Sequence, residues 1–201
     1  MADAGRRLQP EERRRQIIQA TIDTVATLGY RAATFARIAE RGGLSSTRLI
    51  SYHFGGRDDL MMSTVGHVYE QLGRHVSEQL GAADAPRAEL AAYIRAVVGF
   101  IDAHRTEMQA LSRIFISFYD ESGASRSYGA DTETQVIATV ADILRRGQDE
   151  RMFRDFDIFV MASLVQRSVD GLPFLLQTRP DLNLDAYADE LVETFDIATR
   201  S

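Results

Sequence analysis

Apolar residues recur every three to four positions along almost the whole chain, and no stretch alternates apolar and polar residues as a half-buried strand would. The spacing therefore predicts an all-α fold of about nine helices. The first opens at Pro10-Glu11-Glu12, where a proline and two acids suit a helix start, and carries the stripe Ile17, Thr21, Val25 and Leu28. Gly29 is expected to end it in a left-handed conformation. Two short helices follow at about 35–41 and 45–53. A fourth runs from Arg57 to about Leu80 with Met61, Val65, Val68, Leu72 and Val76 on one side.

Asp84 and Pro86 open a fifth helix bearing Leu90, Ile94, Val97 and Ile101. Thr106 and Gln109 have capping-box spacing, so a sixth is expected from Thr106, with Met108, Leu111, Phe115 and Phe118 as its stripe. The polar stretch 120–129 reads as a loop. A seventh helix holds Val136, Val140 and Ile143 and stops near Gly147. Asp157 caps an eighth that reaches about Gln177, with a kink expected where Pro173 follows Gly171. Asp185 caps a ninth, carrying Leu191, Val192 and Phe195. There is no internal repeat.

Charge sharpens this picture. Residues 1–60 hold ten Arg against seven Asp and Glu, a net of +3, and residues 61–201 hold thirteen Arg against twenty-two acids, a net of −9; together they give the chain's −6. A basic head on an acidic body suits a DNA reader, because phosphates attract the one and repel the other. All 23 cations are Arg. With no Cys there is no disulfide or thiolate metal site. The N-terminus lacks the apolar core of a signal peptide, and no apolar run reads as long enough to cross a bilayer, so a cytoplasmic location without membrane contact is expected.

The stretch 34–54 carries the chemistry. A helix-turn-helix needs a small residue where its helices cross, supplied by Ala39, and a residue tolerant of positive φ four positions later, supplied by Gly43. Leu44 and Leu49 pack the second helix on the first, Ile38 faces the core, and Ser45 is expected to cap the second helix. Ser46, Thr47, Arg48 and Ser51 are then free to meet base edges.

Thr34, Ile38, Ala39, Gly43, Leu44 and Ser45, followed by Tyr52-His53-Phe54 and then Arg57, Asp58 and Leu60, resemble the DNA-binding segment of the TetR family of bacterial transcription regulators over about residues 10–60. One residue more than the commonest family spacing separates Ser45 from Phe54. Counting forward from Gly43 puts Ile50 and Ser51 at the phosphate-touching aromatic positions; counting back from Phe54 puts Tyr52 and His53 there, and the residue types favour the backward count. The resemblance implies that Thr34, Tyr52, His53 and Arg57 touch phosphates, with Arg37 near the backbone or a base. It also implies a three-helix DNA-binding head over 1–60 and a helical ligand-binding and dimerisation domain over 61–201.

The resemblance further implies a homodimer through the last two long helices, on a palindromic double-stranded operator. The wrap of apolar residues at 157–165 agrees with burial on two sides. Met161, Val165, Leu172, Leu191 and Phe195 are the expected interface. A small-molecule effector is expected among helices four to eight, with Phe100, Met108, Phe115, Phe118, Tyr119 and Phe174 as apolar candidates and His67, His104, Arg113, Gln166 and Asp170 as polar ones. The apolar core favours a hydrophobic or aromatic molecule, and repression relieved by that molecule is the expected outcome. An enzyme is not expected: the four histidines form no metal-ligand pair at i, i+4, and there is no phosphate loop or nucleophile elbow. No cofactor is expected.

Overall fold

The structure is a computed structural model that describes residues 9–117 and 130–201, and side chains in the latter part from residue 134. Phe118, Tyr119 and the expected loop at 120–129 lie outside the described residues. Among the described residues the chain forms ten helices and no strand. They are α1 (Pro10–Leu28), α2 (Phe35–Arg41), α3 (Arg48–His53), α4 (Arg57–Leu80) and α5 (Pro86–Ala103). After these come α6 (Arg105–Ser117), α7 (Ala130–Asp149), α8 (Ile158–Asp170), α9 (Leu172–Thr178) and α10 (Leu184–Thr199). The tenth arises because the expected eighth helix breaks at Gly171, with Pro173 in the first turn of α9.

Local chemistry explains most boundaries. At the start of α1, Gln9 and Glu12 form a reciprocal capping box, Gln9 N donating to Glu12 Oε2 at 2.9 Å. Asp157 Oδ1 accepts from Val160 N at 3.0 Å and starts α8 as expected. Three expected caps are corrected. Asn183, not Asp185, caps α10, its Oδ1 accepting from Ala186 N at 3.0 Å. α6 begins at Arg105, so Thr106 lies inside it and makes no capping box. α3 begins at Arg48, three residues beyond Ser45.

α5 is the hub of the body. It packs against α10, α4, α7 and α8 and buries Leu90, Tyr93, Ile94, Val97, Val98, Phe100 and Ile101 around most of its circumference. Removing such aliphatic side chains from water stabilises the fold by about 1.5–3 kcal/mol each. Bidentate ion pairs join α5 to its neighbours, Glu89 with Arg146 of α7 and Arg87 with Asp196 of α10. α1, α2 and α3 make up the expected head, and α1 packs on α2, α4 and α6. Leu28, expected in the buried stripe of α1, is 45% exposed in the last turn of the helix.

The segment 158–178 corrects the expectation that no apolar run reaches membrane length: by length and composition it passes. In the fold it is interrupted at Gly171, and Met161, Ala162, Val165, Val169 and Leu172 are buried in the chain's own core.

Candidate functional site

The turn between α2 and α3 sets the geometry of the head. Gly43 has φ +60°, and the two hydrogen bonds of a Schellman cap close α2 around it: Leu44 N donates to Ala39 O at 2.8 Å and Gly43 N to Glu40 O at 3.2 Å. Gly42 is required for a different reason. A Cβ there would lie 2.9 Å from Ala20 Cβ, so its backbone can lie directly on α1. Gln16 Nε2 of α1 donates to Gly42 O at 2.7 Å and fixes that approach.

Ser46 Oγ accepts from Arg48 N at 3.1 Å, and Leu49 N and Ile50 N donate to Ser46 O and Thr47 O in a tight first turn. From Arg48 onward the register follows Phe54, which is buried. Ile50 is fully buried, whereas Tyr52 is 82% exposed, so the forward count would aim a core residue at DNA. Thr47, Arg48, Ser51 and Tyr52 share the outer face of α3 at i, i+1, i+4 and i+5. Thr34 and Arg37 are exposed at the start of α2, where Thr34 Oγ1 accepts from Arg37 N and the Arg37 guanidinium donates to Ala32 O at 3.1 Å. Ser45 is exposed in the turn; Ser46 and His53 are half-buried, the His53 ring edge-on to Tyr52.

Two arginines brace this surface from behind. Arg14 of α1 donates to His53 O at 2.7 Å and Ser63 Oγ at 2.9 Å, with its guanidinium 4.2 Å over the Phe54 ring. It thus ties α1 to the end of α3 and the start of α4. Its 3.6-residue spacing from Ile17 and Ile18 could have marked it as inward-facing. Arg57 turns its guanidinium over Tyr30, 4.2 Å from the ring centre, and donates to Tyr30 O. In this arrangement Arg57 fastens α4 to the loop after α1.

In the body, two lobes of about 560 and 390 Å³ adjoin, sharing Tyr69, Leu72, Val97, Val136 and Gln166 in their walls. Met108, Phe115, Phe174 and Asp170 line the smaller lobe. Gly66 and Gly73 of α4 face the larger lobe, and a Cβ at either would meet nothing within 4 Å, so close packing does not require them.

Four sequence candidates lie elsewhere. Phe100 is buried and stacked on His104, ring centres 4.2 Å apart; His104 closes the end of α5 and faces Glu107 at 3.6 Å. His67 faces a separate groove between α1 and α4, where burial first, then Arg74 and Arg15, lower its pKa against the opposing pull of Glu70 and Glu107. Arg113 points from α6 to the end of α1, donating to Ala26 O at 2.8 Å and Val25 O at 3.2 Å. Sequence reasoning missed Tyr69 and Tyr93; Tyr93, at i+3 from Leu90 and i−4 from Val97, sits on a stripe already marked as buried.

Of the expected interface residues, Met161, Val165, Leu172 and Phe195 are buried within the single chain and Leu191 is half-buried against its core. The apolar period of α8 runs on two faces, and the outward one is Phe159, Val160 and Leu164; Ile197 of α10 is exposed too. Among the described residues no group of three His, Cys, Asp or Glu could hold a metal.

No family model matches the chain. It is 41% identical over 83 residues, 41% of each chain, to an HTH-type transcriptional regulator BetI 1 of Chromohalobacter salexigens. It is 39% identical over 87 residues to a BetI regulator of Paraburkholderia phytofirmans, covering 43% of this chain and 44% of that one. The match thus spans about two fifths of the length of these relatives. Over the whole fold, it superposes on a transcriptional regulator from Saccharomonospora viridis, solved with choline, with TM-score 0.78 and 22% identity over 95% of this chain and 99% of that one. For a TetR-family regulator from Rhodococcus sp. the TM-score is 0.77 at 22% identity, over 93% and 98% of the two chains. For the ketosteroid regulator KstR2 of Mycobacterium tuberculosis it is 0.72 at 17% identity, over the full length of both.

Proposed function

We propose that this chain, built on the TetR-family fold, is a ligand-responsive transcriptional regulator that binds a palindromic operator as a homodimer and is released from it by a small apolar or aromatic molecule. The observation that carries the reading is the pairing of an outward polar face on α3 with an apolar cavity in the same chain. Thr47, Arg48 and Ser51 enter the major groove, where Arg48 suits guanine O6 and N7. Thr34, Tyr52 and His53 hold the phosphates and set the register. The outward faces of α8 and α10, with Phe159, Val160, Leu164 and Ile197, bury one another across the two-fold axis. Residues 1–60 act as the reading head and 61–201 as the sensing and dimerising body, in a cytoplasmic setting.

Two helices connect cavity to head. α4 starts just after α3 and lines the cavity with Gly66, Tyr69 and Gly73. α6 faces the cavity with Met108, Leu111 and Phe115, while Arg113 on its other side holds the end of α1. An effector that prefers a wider cavity shifts the population toward dimers whose α3 helices no longer match major grooves about 34 Å apart. A gel shift of the purified protein on the region upstream of its own gene tests the reading. Retardation that is reversed by a cavity-binding compound is the expected result, and no retardation at low salt contradicts it.

A further inference from the structure

The cavity carries its own description of what it holds, given that it is the effector site. Gln166 and Tyr69 bring polar atoms to both lobes, and Gln166 is 5% exposed. Its amide orientation is fixed by its partners. Asp170 can only accept, so Nε2 faces it, donating to Oδ1 at 2.7 Å. Oε1 therefore accepts the Tyr93 hydroxyl hydrogen, at 2.6 Å. What remains is the second Nε2 hydrogen, with lone pairs of Gln166 Oε1 and Tyr93 Oη beside it. A group that both accepts and donates at one oxygen matches that set.

Charge points the same way. Among the described residues lining the lobes, the charged pair is Asp170 and Arg167, and the two meet each other at 2.8 Å. An ionic head group entering here would shed its water beside a carboxylate and a guanidinium that already have partners. Most of the wall is apolar, with Leu72, Val97, Met108, Leu111 and Phe115.

We infer that the effector is a mainly apolar molecule reaching both lobes and carrying one uncharged oxygen, a hydroxyl, seated on Gln166 and Tyr93. The test is calorimetric titration of the full-length protein with three probes sharing one tail: 1-decanol, decanoate and decyltrimethylammonium. Decanol is expected to bind about tenfold more tightly than either ion, since an unpaired charge costs far more than a hydroxyl. In the double variant Tyr93→Phe/Gln166→Leu, which removes both groups that meet the hydroxyl, decanol affinity should fall about three- to tenfold. Either ion binding as tightly as decanol, the double variant keeping full decanol affinity, or no probe binding at all overturns the inference. Decanol that binds but leaves operator affinity unchanged would instead uphold the assignment of the cavity and overturn the regulatory reading.

Discussion

Arg113→Met removes a cation that one element lends to another. The last turn of α1 holds no basic residue, and Arg113 of α6 supplies the charge at that end. Its two bonds are unequal in consequence. Val25 O also accepts from Gly29 N at 2.9 Å, so it stays satisfied, whereas Ala26 O loses the partner that Arg113 provides. A hydrogen bond from a charged group is worth about 1.5–3 kcal/mol, and a cation near a helix C-terminus about 0.3–1 kcal/mol. The group is only part-buried, which lowers both figures, so a loss of about 2 kcal/mol is expected. Methionine keeps much of the stem packing, which isolates the polar part. The assay is urea unfolding of both proteins at one protein concentration, because dimerisation makes the midpoint concentration-dependent. A difference below about 0.5 kcal/mol, within the range of an ordinary surface substitution, would refute the bracing role. Operator affinity should fall as well, because α1 carries the platform for α2 and α3.

Leu164→Glu should give a folded monomer by sedimentation, since Leu164 is 55% exposed in the single chain; Val165→Glu should instead fail to fold, because that side chain is fully buried. Gly73→Ala should raise stability by about 1 kcal/mol in chemical denaturation, since it improves helix propensity and meets no atom, while its methyl group narrows the larger lobe and weakens decanol. His67 has a folded pKa below its ordinary 6.5, so the unfolded chain binds more protons, and stability should decline as pH falls through 6.5 toward the folded value. The Gln71 amide donating to neutral His67 Nε2, at 2.7 Å, is lost on protonation. His67→Gln should therefore flatten the acid limb of stability against pH between about 7 and 5; an unchanged limb would show that His67 does not drive it.

Elements with a strong local signal were legible in the sequence. Pro10 with its acids, the Gly43 turn, Asp157 and the buried stripes of α4 and α5 are each dictated by residues close in the chain. What was not legible depends on partners far along it. Gly42 needs Ala20 beneath it, Arg14 needs Phe54 and Ser63, and Arg113 needs the end of α1. The burial of Met161, Val165 and Leu172 was not legible because α8 is apolar on two faces, and periodicity alone does not say which one the chain covers itself. Asp185 and Thr106 lost their capping roles to Asn183 and to the continuous α5–α6 corner at His104, where one residue's shift changes the cap. Which residues of α3 face outward shows only through burial, since Ile50 and Tyr52 lie on opposite sides of a six-residue helix.

The claim that the outer face of α3 reads DNA is tested most directly by binding-site selection on the wild type, Arg48→Ala and Tyr52→Phe. Arg48 is exposed at the first position of α3, of the residue type suited to bidentate guanine recognition. Arg48→Ala should cost about 1–3 kcal/mol on the selected site and relax preference at one base pair in each half-site. Tyr52→Phe should weaken all selected sites about equally, as loss of a phosphate contact does. Unchanged base preference in Arg48→Ala, with a uniform loss and a flatter salt dependence, would reduce that arginine to a phosphate contact. Altered base preference in Tyr52→Phe as well would contradict the register, and with it the assignment of α3 as the reading helix in the orientation described.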